Sequence, residues 1–242
     1  MYRSIPTLFL LCLILFPAAA SADSDTLKSL RERMAELIPD TEPSDIRETP
    51  VPGLYAVRYG AQLFYITGDG EYVLEGSMVE VDTGRNLTEA SRAVGRREML
   101  AQVDEGDMVI YPAEGEKQHE ITVFTDVECP HCQRLHGEVE ALNAAGVTVR
   151  YLMFPRSGEG SPGFEKMTRV WCAEDPAAAM DRAKAGKDLK AAECDTPVRE
   201  HMTLGQRMGV RGTPAIVLES GEMLPGYRPA DRIIEALEQG GA

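Results

Sequence analysis

The sequence predicts an α+β protein with a small N-terminal part, a connecting helix and a larger C-terminal part that carries a helical insertion. Three observations support this fold class. Residues 51–81 form short β-like runs that are separated by Gly and Asp. Residues 86–103 form one polar, helix-like stretch. From about residue 110 the chain alternates strand-like and helix-like segments and ends in a hairpin and a helix, as in a mixed α/β sandwich.

The composition excludes several classes of protein. The chain has 242 residues, of which 43% are hydrophobic and 26% charged, as in ordinary soluble globular proteins. Its formal charge is −14 and no Lys/Arg cluster stands out, so we expect no nucleic-acid partner. Only residues 7–20 form a long apolar run, which excludes a protein with several membrane spans.

The first 22 residues have the pattern of a cleavable secretory signal peptide. Arg3 precedes a short apolar stretch over residues 7–17, and the segment ends in the small residues Ala20-Ser21-Ala22. The apolar stretch is shorter than the ~20 residues that span a membrane, which makes an uncleaved anchor the weaker alternative. Export leaves four of the five cysteines in an oxidising compartment, where disulfides persist. We expect the bacterial periplasm.

A helix and a group of short strands make up the predicted N-terminal part. Apolar residues recur at spacings of three and four over residues 25–38, and Pro39 ends that helix. The runs that follow predict an antiparallel meander, whose open edges often pair with another copy when the domain is too small for its own core. We therefore predict a homodimerisation domain over residues 23–85. The runs are 54–59, 63–67, 72–74 and 78–81.

A second predicted helix, residues 86–103, connects the two parts. Asn86 is a suitable N-cap, and Glu89 completes the pattern of a capping box. Polar residues cover much of this helix, which is typical of a connector. A surface helix that packs on one domain is an equally good interpretation. We assign the linker to residues 86–109.

The C-terminal domain, residues 110–242, alternates the two types of element. A strand, a helix and a strand are followed by a mostly helical insertion, a hairpin that turns at Ser220-Gly221 and a last helix. The predicted strands are 120–125, 147–154, 214–218 and 222–227, and the predicted helical segments are 129–145, 162–209 and 229–237.

The motif Cys129-Pro130-His131-Cys132 lies where a predicted strand passes into a predicted helix, which is a redox signal. The partial positive charge at a helix N-terminus favours the thiolate of Cys129, which is the attacking species. Pro130 suits the first helical turn, and a protonated His131 adds positive charge. We predict that Cys129 is the attacking thiol, reachable by a substrate disulfide. Cys132, one turn along and shielded from solvent, is the predicted resolving thiol.

Three other interpretations of the motif are weaker. Haem attachment requires His at position 133, which is Gln133. A zinc site built from Cys129, Cys132 and His136 lacks a fourth ligand. A purely structural disulfide across so short a ring constrains little of the unfolded chain. The histidines outside the motif, His119, His136 and His201, are interpreted as surface or packing residues.

Cys172 and Cys194 are 22 positions apart in the helical insertion. Because they lie far along the chain from the motif and lack its spacing, we interpret them as one structural disulfide, worth about 3 kcal/mol in the chain-entropy model. Two buried free thiols are the alternative.

A third feature is Gly212-Thr213-Pro214, just before a predicted strand. Proline is permitted at the first residue of a strand on ordinary grounds. The functional interpretation is a cis Thr213–Pro214 bond that brings backbone beside the Cys129 sulfur, although cis bonds are found in only ~5–6% of X-Pro pairs.

Together these segments resemble the periplasmic DsbC/DsbG family of protein disulfide isomerases, over essentially the whole chain after residue 22. Within that family the pair Cys172 and Cys194 favours the DsbC type, because the DsbG type lacks the second pair. The segments are Ile121-Thr122-Val123-Phe124-Thr125-Asp126 running into the cysteine motif, Val170-Trp171-Cys172-Ala173, Gly209-Val210-Arg211-Gly212-Thr213-Pro214-Ala215 and Leu224-Pro225-Gly226-Tyr227.

The resemblance implies a thioredoxin-like catalytic domain with a helical insertion, a linker helix and a small cystatin-like α+β domain that forms a V-shaped homodimer. It implies that misfolded, disulfide-containing exported proteins bind in an uncharged or apolar cleft between the arms. It also implies a cis Thr213–Pro214 bond and a membrane thiol reductase of the DsbD kind that keeps Cys129 and Cys132 reduced. No cofactor or metal is required.

One departure from the family pattern concerns the two residues between the active cysteines. DsbC-type proteins typically carry Gly-Tyr there, whereas Pro130-His131 is typical of the DsbA oxidases. A lower Cys129 pKa makes the disulfide more oxidising. We therefore expect an isomerase that is nearer to the oxidases than its relatives are. A net dithiol oxidase and a non-enzymatic chaperone are the alternative functions.

Overall fold

The computed structural model describes residues 20–39, 42–190 and 194–240. Most of the predicted signal peptide, residues 1–19 with Cys12, lies outside the described residues. Nowhere in the described ranges is a helix both long enough and apolar enough to cross a membrane.

A helix packed on a four-stranded antiparallel sheet forms the N-terminal part. Leu30 and Met34, one turn apart on helix α1 (Ala20–Leu37), are buried against the sheet, which confirms the helix predicted from apolar spacing. The sheet has the order β1-β2-β3-β4. Its strands are β1 (Asp45–Glu48), β2 (Leu54–Tyr59), β3 (Gln62–Thr67) and β4 (Val73–Leu74).

Two details of this sheet differ from the prediction. The run 78–81 is not a strand and forms only an isolated bridge between Val79 and Asn86, because residues 80–85 turn back on themselves. Strand β1 was not predicted. It buries only Ile46 between charged neighbours, so the sequence shows no alternation there.

Helix α2 (Leu87–Leu100) follows, and the predicted N-cap is confirmed. The Asn86 side chain accepts a hydrogen bond from the Glu89 N–H at 3.0 Å. The Glu89 carboxylate pairs with Arg96 instead of completing a capping box, and the helix ends three residues earlier than predicted.

Helix α2 contacts both parts of the protein. On one side Glu98 pairs with Arg58 of β2 at 2.8 Å. On the other, the buried Arg96 donates to the carbonyls of Met208 and Gly221 at 3.2 and 3.1 Å. These contacts support the connector interpretation over a helix that packs on one domain only.

A five-stranded sheet of order β5-β7-β6-β8-β9 is the centre of the C-terminal domain. Strands β6 and β7 are parallel, and the other pairs are antiparallel. Successive side chains of β6 point to opposite faces, so Val123 and Phe124 belong to different cores. The strands are β5 (Val109–Tyr111), β6 (His119–Thr125), β7 (Val147–Met153), β8 (Ala215–Leu218) and β9 (Met223–Pro225).

The helices of this domain cover both faces of the sheet. The helix predicted over 129–145 is divided at Gly137. The described part of the predicted helical insertion contains three helices, two of which begin with a side-chain cap followed by proline. The helices are α3 (Pro130–His136), α4 (Val139–Ala144), α5 (Pro162–Trp171), α6 (Pro176–Lys184), α7 (Val198–Met208) and α8 (Ala230–Gly240).

Candidate active site

Among the described residues, two free cysteines lie at the start of helix α3, directly after β6. Cys129 is the N-cap residue, Pro130 occupies the first helical turn, and Cys132 lies one turn along. The loop between strand and helix is held by Asp126, whose carbonyl accepts from the Cys129 N–H at 3.1 Å and whose carboxylate accepts from the Glu128 N–H at 2.8 Å. The sulfur of Cys129 is therefore placed at the positive end of a helix.

A second segment, 84 positions further along the chain, completes the site. The Thr213–Pro214 peptide bond is cis and leads into β8, which pairs with β6. The thiol of Cys129 donates to the Thr213 carbonyl oxygen at 3.2 Å. Adjacent strands thus bring the cysteine motif and the Thr213–Pro214 segment into contact.

The surroundings of Cys129 lower the pKa of its thiol. Burial raises this pKa, but the nearby N–H and thiol of Cys132 lower it by more, and the charge of Arg156 acts in the same direction. Cys129 consequently ionises more readily than a cysteine in water.

The pKa of Cys132 moves in the opposite direction. Burial raises it, and the charge of Lys184 together with the nearby Asp126 backbone and Thr125 side chain compensates only in part. Cys129 therefore ionises more readily than Cys132.

The exposure of Cys129 differs from the expectation. The sequence predicts a Cys129 sulfur that a substrate can reach, yet Cys129 and Cys132 are each only 1% exposed. The Thr213 carbonyl covers the Cys129 sulfur, while Pro130 and His131 beside it are exposed. Exposure does not distinguish the two thiols, so the assignment of their roles depends on the helix start and on the opposite pKa directions.

An ion pair that sequence reasoning did not single out supports the loop. The carboxylate of Asp126, which is 3% exposed, accepts from Nε of Arg156 at 2.9 Å and from its backbone N–H at 3.1 Å. This hydrogen bond raises the pKa of Arg156, which stays charged beside both cysteines. Asp126 belongs to the motif quoted for the family resemblance, whereas no local pattern points to Arg156.

The other two cysteines form a disulfide between Cys172 and Cys194. Cys172 is the C-cap of α5, and Cys194 precedes α7, so the bond closes a loop that contains all of α6.

The histidines have partners that the sequence does not reveal. His136 is hydrogen-bonded to the Tyr151 hydroxyl at 3.2 Å and to Asp181 at 3.0 Å, and so does not join the cysteines as in the zinc interpretation. Residues 20–39, 42–190 and 194–240 contain no group of three or more His, Cys, Asp or Glu side chains placed to hold a metal ion. His201 is buried and accepts from the Met153 N–H at 3.2 Å, and His119 pairs with Glu219 on the surface at 2.8 Å.

Known proteins resemble both parts of the chain. A thioredoxin-like domain matches residues 105–241, and a disulfide bond isomerase protein N-terminal domain matches residues 17–89. Thiol:disulfide interchange protein DsbC of Escherichia coli (strain K12) is 38% identical over 226 residues, or 93% of this chain and 91% of that protein. The protein of the same name from Salmonella typhimurium is 38% identical over 223 residues, or 91% and 90%. The crystal structure of a disulfide interchange protein from Neisseria gonorrhoeae is 30% identical, with a TM-score of 0.51, and the match covers 57% of this chain and 98% of that one.

Proposed function

This chain belongs to the DsbC family of thiol:disulfide interchange proteins and is a protein disulfide isomerase with a thioredoxin-like domain, and we propose that Cys129 and Cys132 perform its reaction. The observation that carries the proposal is the asymmetry of this pair: at one helix start, the pKa of Cys129 is lowered while that of Cys132 is raised. Thr213 and Pro214 tune the site by packing backbone against the attacking sulfur. Pro130 and His131 set the charge and geometry of the first helical turn.

In the proposed reaction the thiolate of Cys129 attacks one sulfur of a non-native disulfide in an exported protein. A Cys129–substrate disulfide forms, the substrate S–S bond breaks, and the electron pair leaves on the second substrate sulfur. That thiolate attacks another disulfide of the substrate. A substrate thiolate then displaces Cys129, which leaves as the thiolate, so the number of disulfides is unchanged.

Cys132 releases a substrate when rearrangement stalls. Its thiolate attacks the Cys129 sulfur, the Cys129–Cys132 disulfide forms, and the substrate departs with a reduced sulfur. Two electrons have passed to the substrate, so the pair must be reduced again. We propose a membrane thiol reductase of the DsbD kind as the donor, acting in the periplasm after residues 1–22 are removed.

We propose that the N-terminal domain, residues 23–85, forms a homodimer, with residues 86–109 as the linker and 110–242 as the catalytic domain. Exposed apolar side chains at and beside the outer strand β4 support a pairing surface, since open apolar strand edges favour association. Tyr72, Val73 and Leu74 are 64%, 53% and 47% exposed.

Refolding of scrambled ribonuclease with the purified protein tests the proposal. Cys129→Ser is expected to abolish isomerisation, and Cys132→Ser is expected to accumulate a mixed disulfide between Cys129 and substrate. The matched control removes Cys172 and Cys194 together and should keep activity. A Cys129→Ser, Cys132→Ser protein that restores disulfides as well as wild type would refute the proposal and favour a chaperone that only holds its substrates.

Pro130-His131 favours a second candidate, a net dithiol oxidase. The in vivo redox state of Cys129 and Cys132 separates the two functions. A mainly reduced pair indicates an isomerase, and a mainly oxidised pair indicates an oxidase. The proposal of an isomerase nearer to the oxidases predicts a reduction potential well above that of thioredoxin, and a potential as low as that of thioredoxin contradicts it.

A further inference from the structure

The attacking sulfur of Cys129 lies beneath a loop that has to move before a substrate can reach it. Cys129 is buried, and its thiol donates to the carbonyl oxygen of Thr213 at 3.2 Å. When the thiol ionises, this hydrogen bond is lost and the carbonyl oxygen faces a negative sulfur, which favours displacement of the carbonyl. Residues 209–213, which we call the cover loop, end with that carbonyl, so their position determines access to the sulfur.

The cover loop is held at its ends and not along its length. At its start the N–H groups of Gly209 and Val210 donate to carbonyls of helix α7 at 3.1 and 2.9 Å, and after it Pro214 leads into β8. Within the described ranges no backbone–backbone hydrogen bond involves Arg211 or Gly212. A Cβ added to Gly209 or Gly212 would meet no atom within 4 Å, so the loop has space in which to move.

The linker helix α2 anchors the start of the cover loop through Arg96. This side chain is buried, and its Nε donates to the carbonyl of Met208 at 3.2 Å while Nη1 donates to the carbonyl of Gly221 at 3.1 Å. Met208 is the last residue of α7 and directly precedes the cover loop, at a helix end where carbonyls have no partner within the helix. The carboxylate of Glu89 pairs with the guanidinium and keeps it in place.

A cavity of about 340 Å³ lies between α2 and the cover loop. Because side chains do not fill this space, the hydrogen bonds of Arg96 position the loop relative to α2 more than close packing does. The walls of the cavity include two residues of α2 and four of the cover loop: Glu89, Arg96, Gly209, Arg211, Gly212 and Thr213.

Helix α2 is itself fixed from both sides. A Cβ added to Gly95 would lie 2.0 Å from the carbonyl oxygen of Gly60 in the N-terminal domain, and one added to Gly221 would lie 2.0 Å from the carbonyl oxygen of Ala93 on α2. These close approaches set the position of α2 against the N-terminal domain and against the β8–β9 turn. A change in either contact therefore reaches the cover loop through Arg96.

We propose that the cover loop is a movable cap on Cys129 and that Arg96 of the linker helix is a positioning residue that holds this cap closed. The linker thus sets how often the attacking sulfur can be reached, although it contributes no group to the chemistry. This inference rests on the proposed function, which assigns Cys129 as the attacking cysteine.

The rate at which iodoacetamide modifies Cys129 in the reduced protein tests the inference, with the modified cysteine identified by mass spectrometry. The rate is followed across pH, because its plateau at high pH reports access to the thiolate and its midpoint reports ionisation. Arg96→Met removes both hydrogen bonds from α2 and is expected to raise the plateau rate about tenfold. The matched control is Arg97→Met, which removes the same charge from an exposed neighbour and should leave the plateau at its wild-type value.

Urea separates opening of the cover loop from general loss of structure. Modification through a local opening does not change with urea well below the unfolding midpoint, whereas modification through global unfolding accelerates steeply. A faster plateau that is independent of low urea supports the inference. An unchanged plateau in folded Arg96→Met, or an increase that occurs only through global unfolding, overturns it.

Should Arg96→Met not fold, Arg96→Lys decides. Lysine keeps a positive charge beside Glu89 but has no donor at the position of Nε, so the hydrogen bond to Met208 is lost. Its plateau rate should also rise, and a wild-type rate overturns the inference. These measurements require no isomerase activity. Failure of the proposed function would show instead as full isomerase activity in Cys129→Ser.

Discussion

Removal of the Cys172–Cys194 disulfide is expected to destabilise the catalytic domain by about 3 kcal/mol. The two cysteines are separated by 22 positions, and a cross-link of that span reduces the entropy of the unfolded chain by roughly 11 cal/mol/K in the chain-entropy model. At 25 °C this corresponds to roughly 3.4 kcal/mol. For a protein of this size the melting temperature should fall by ~6–12 °C.

The loss should appear in stability rather than in chemistry. The loop that the disulfide closes contains α6, which is anchored independently by the buried side chains of Ala179, Met180 and Ala183. Because these contacts remain in the native state, Lys184 should keep its hydrogen bonds to Thr125 and Asp126. A Cys172→Ala, Cys194→Ala protein is therefore expected to isomerise scrambled ribonuclease at close to the wild-type rate at 25 °C.

Trp171 makes the measurement specific. It is the sole tryptophan of the chain and directly precedes Cys172, so its fluorescence during urea unfolding reports on the catalytic domain. Adding a thiol reductant should lower the midpoint of wild type and leave that of the double variant unchanged. Equal midpoints for wild type and variant under oxidising conditions would refute the reasoning, because the cross-link would then contribute nothing to the unfolded state.

Three further predictions concern pH, packing and assembly. Burial lowers the pKa of His201 to about 4, whereas the ring in the unfolded chain takes up a proton near pH 6.5. The free energy of unfolding should therefore fall by up to roughly 3 kcal/mol as the pH drops from about 6.5 to 4. An NMR titration of the His201 ring with a midpoint above 6 would contradict this. Gly205→Ala should destabilise the protein by about 1–3 kcal/mol in thermal unfolding, because the added Cβ would lie 2.7 Å from the Phe154 ring. This cost should exceed the gain from the better helix propensity of Ala. A variant as stable as wild type would show that the Phe154 ring moves to accommodate the Cβ. Leu74→Glu places charge on the outer strand and should convert the proposed homodimer to monomer in analytical ultracentrifugation. A dimer that persists in this variant would move the interface away from β4.

Local sequence patterns predicted the elements that local physics controls. The apolar spacing of residues 25–38, the Asn86 cap and the strand–helix junction at Cys129 all operate over a few residues, and each is confirmed. Errors arose where local patterns are weak: the charged strand β1 has one buried side chain, and the run 78–81 folds back in a turn.

The chemical surroundings of the cysteines were decided only by the tertiary structure. Lys184 lies in an Ala-rich helix where a lysine is ordinarily exposed, and its partner Thr125 is 59 positions away. The cover over Cys129 comes from Thr213, 84 positions away. The sequence by itself predicted which two sulfurs react in the proposed function, because their helix and spacing are local. Burial and the proximity of charges depend on which distant segments pack together, and those contacts set the ionisation of both thiols.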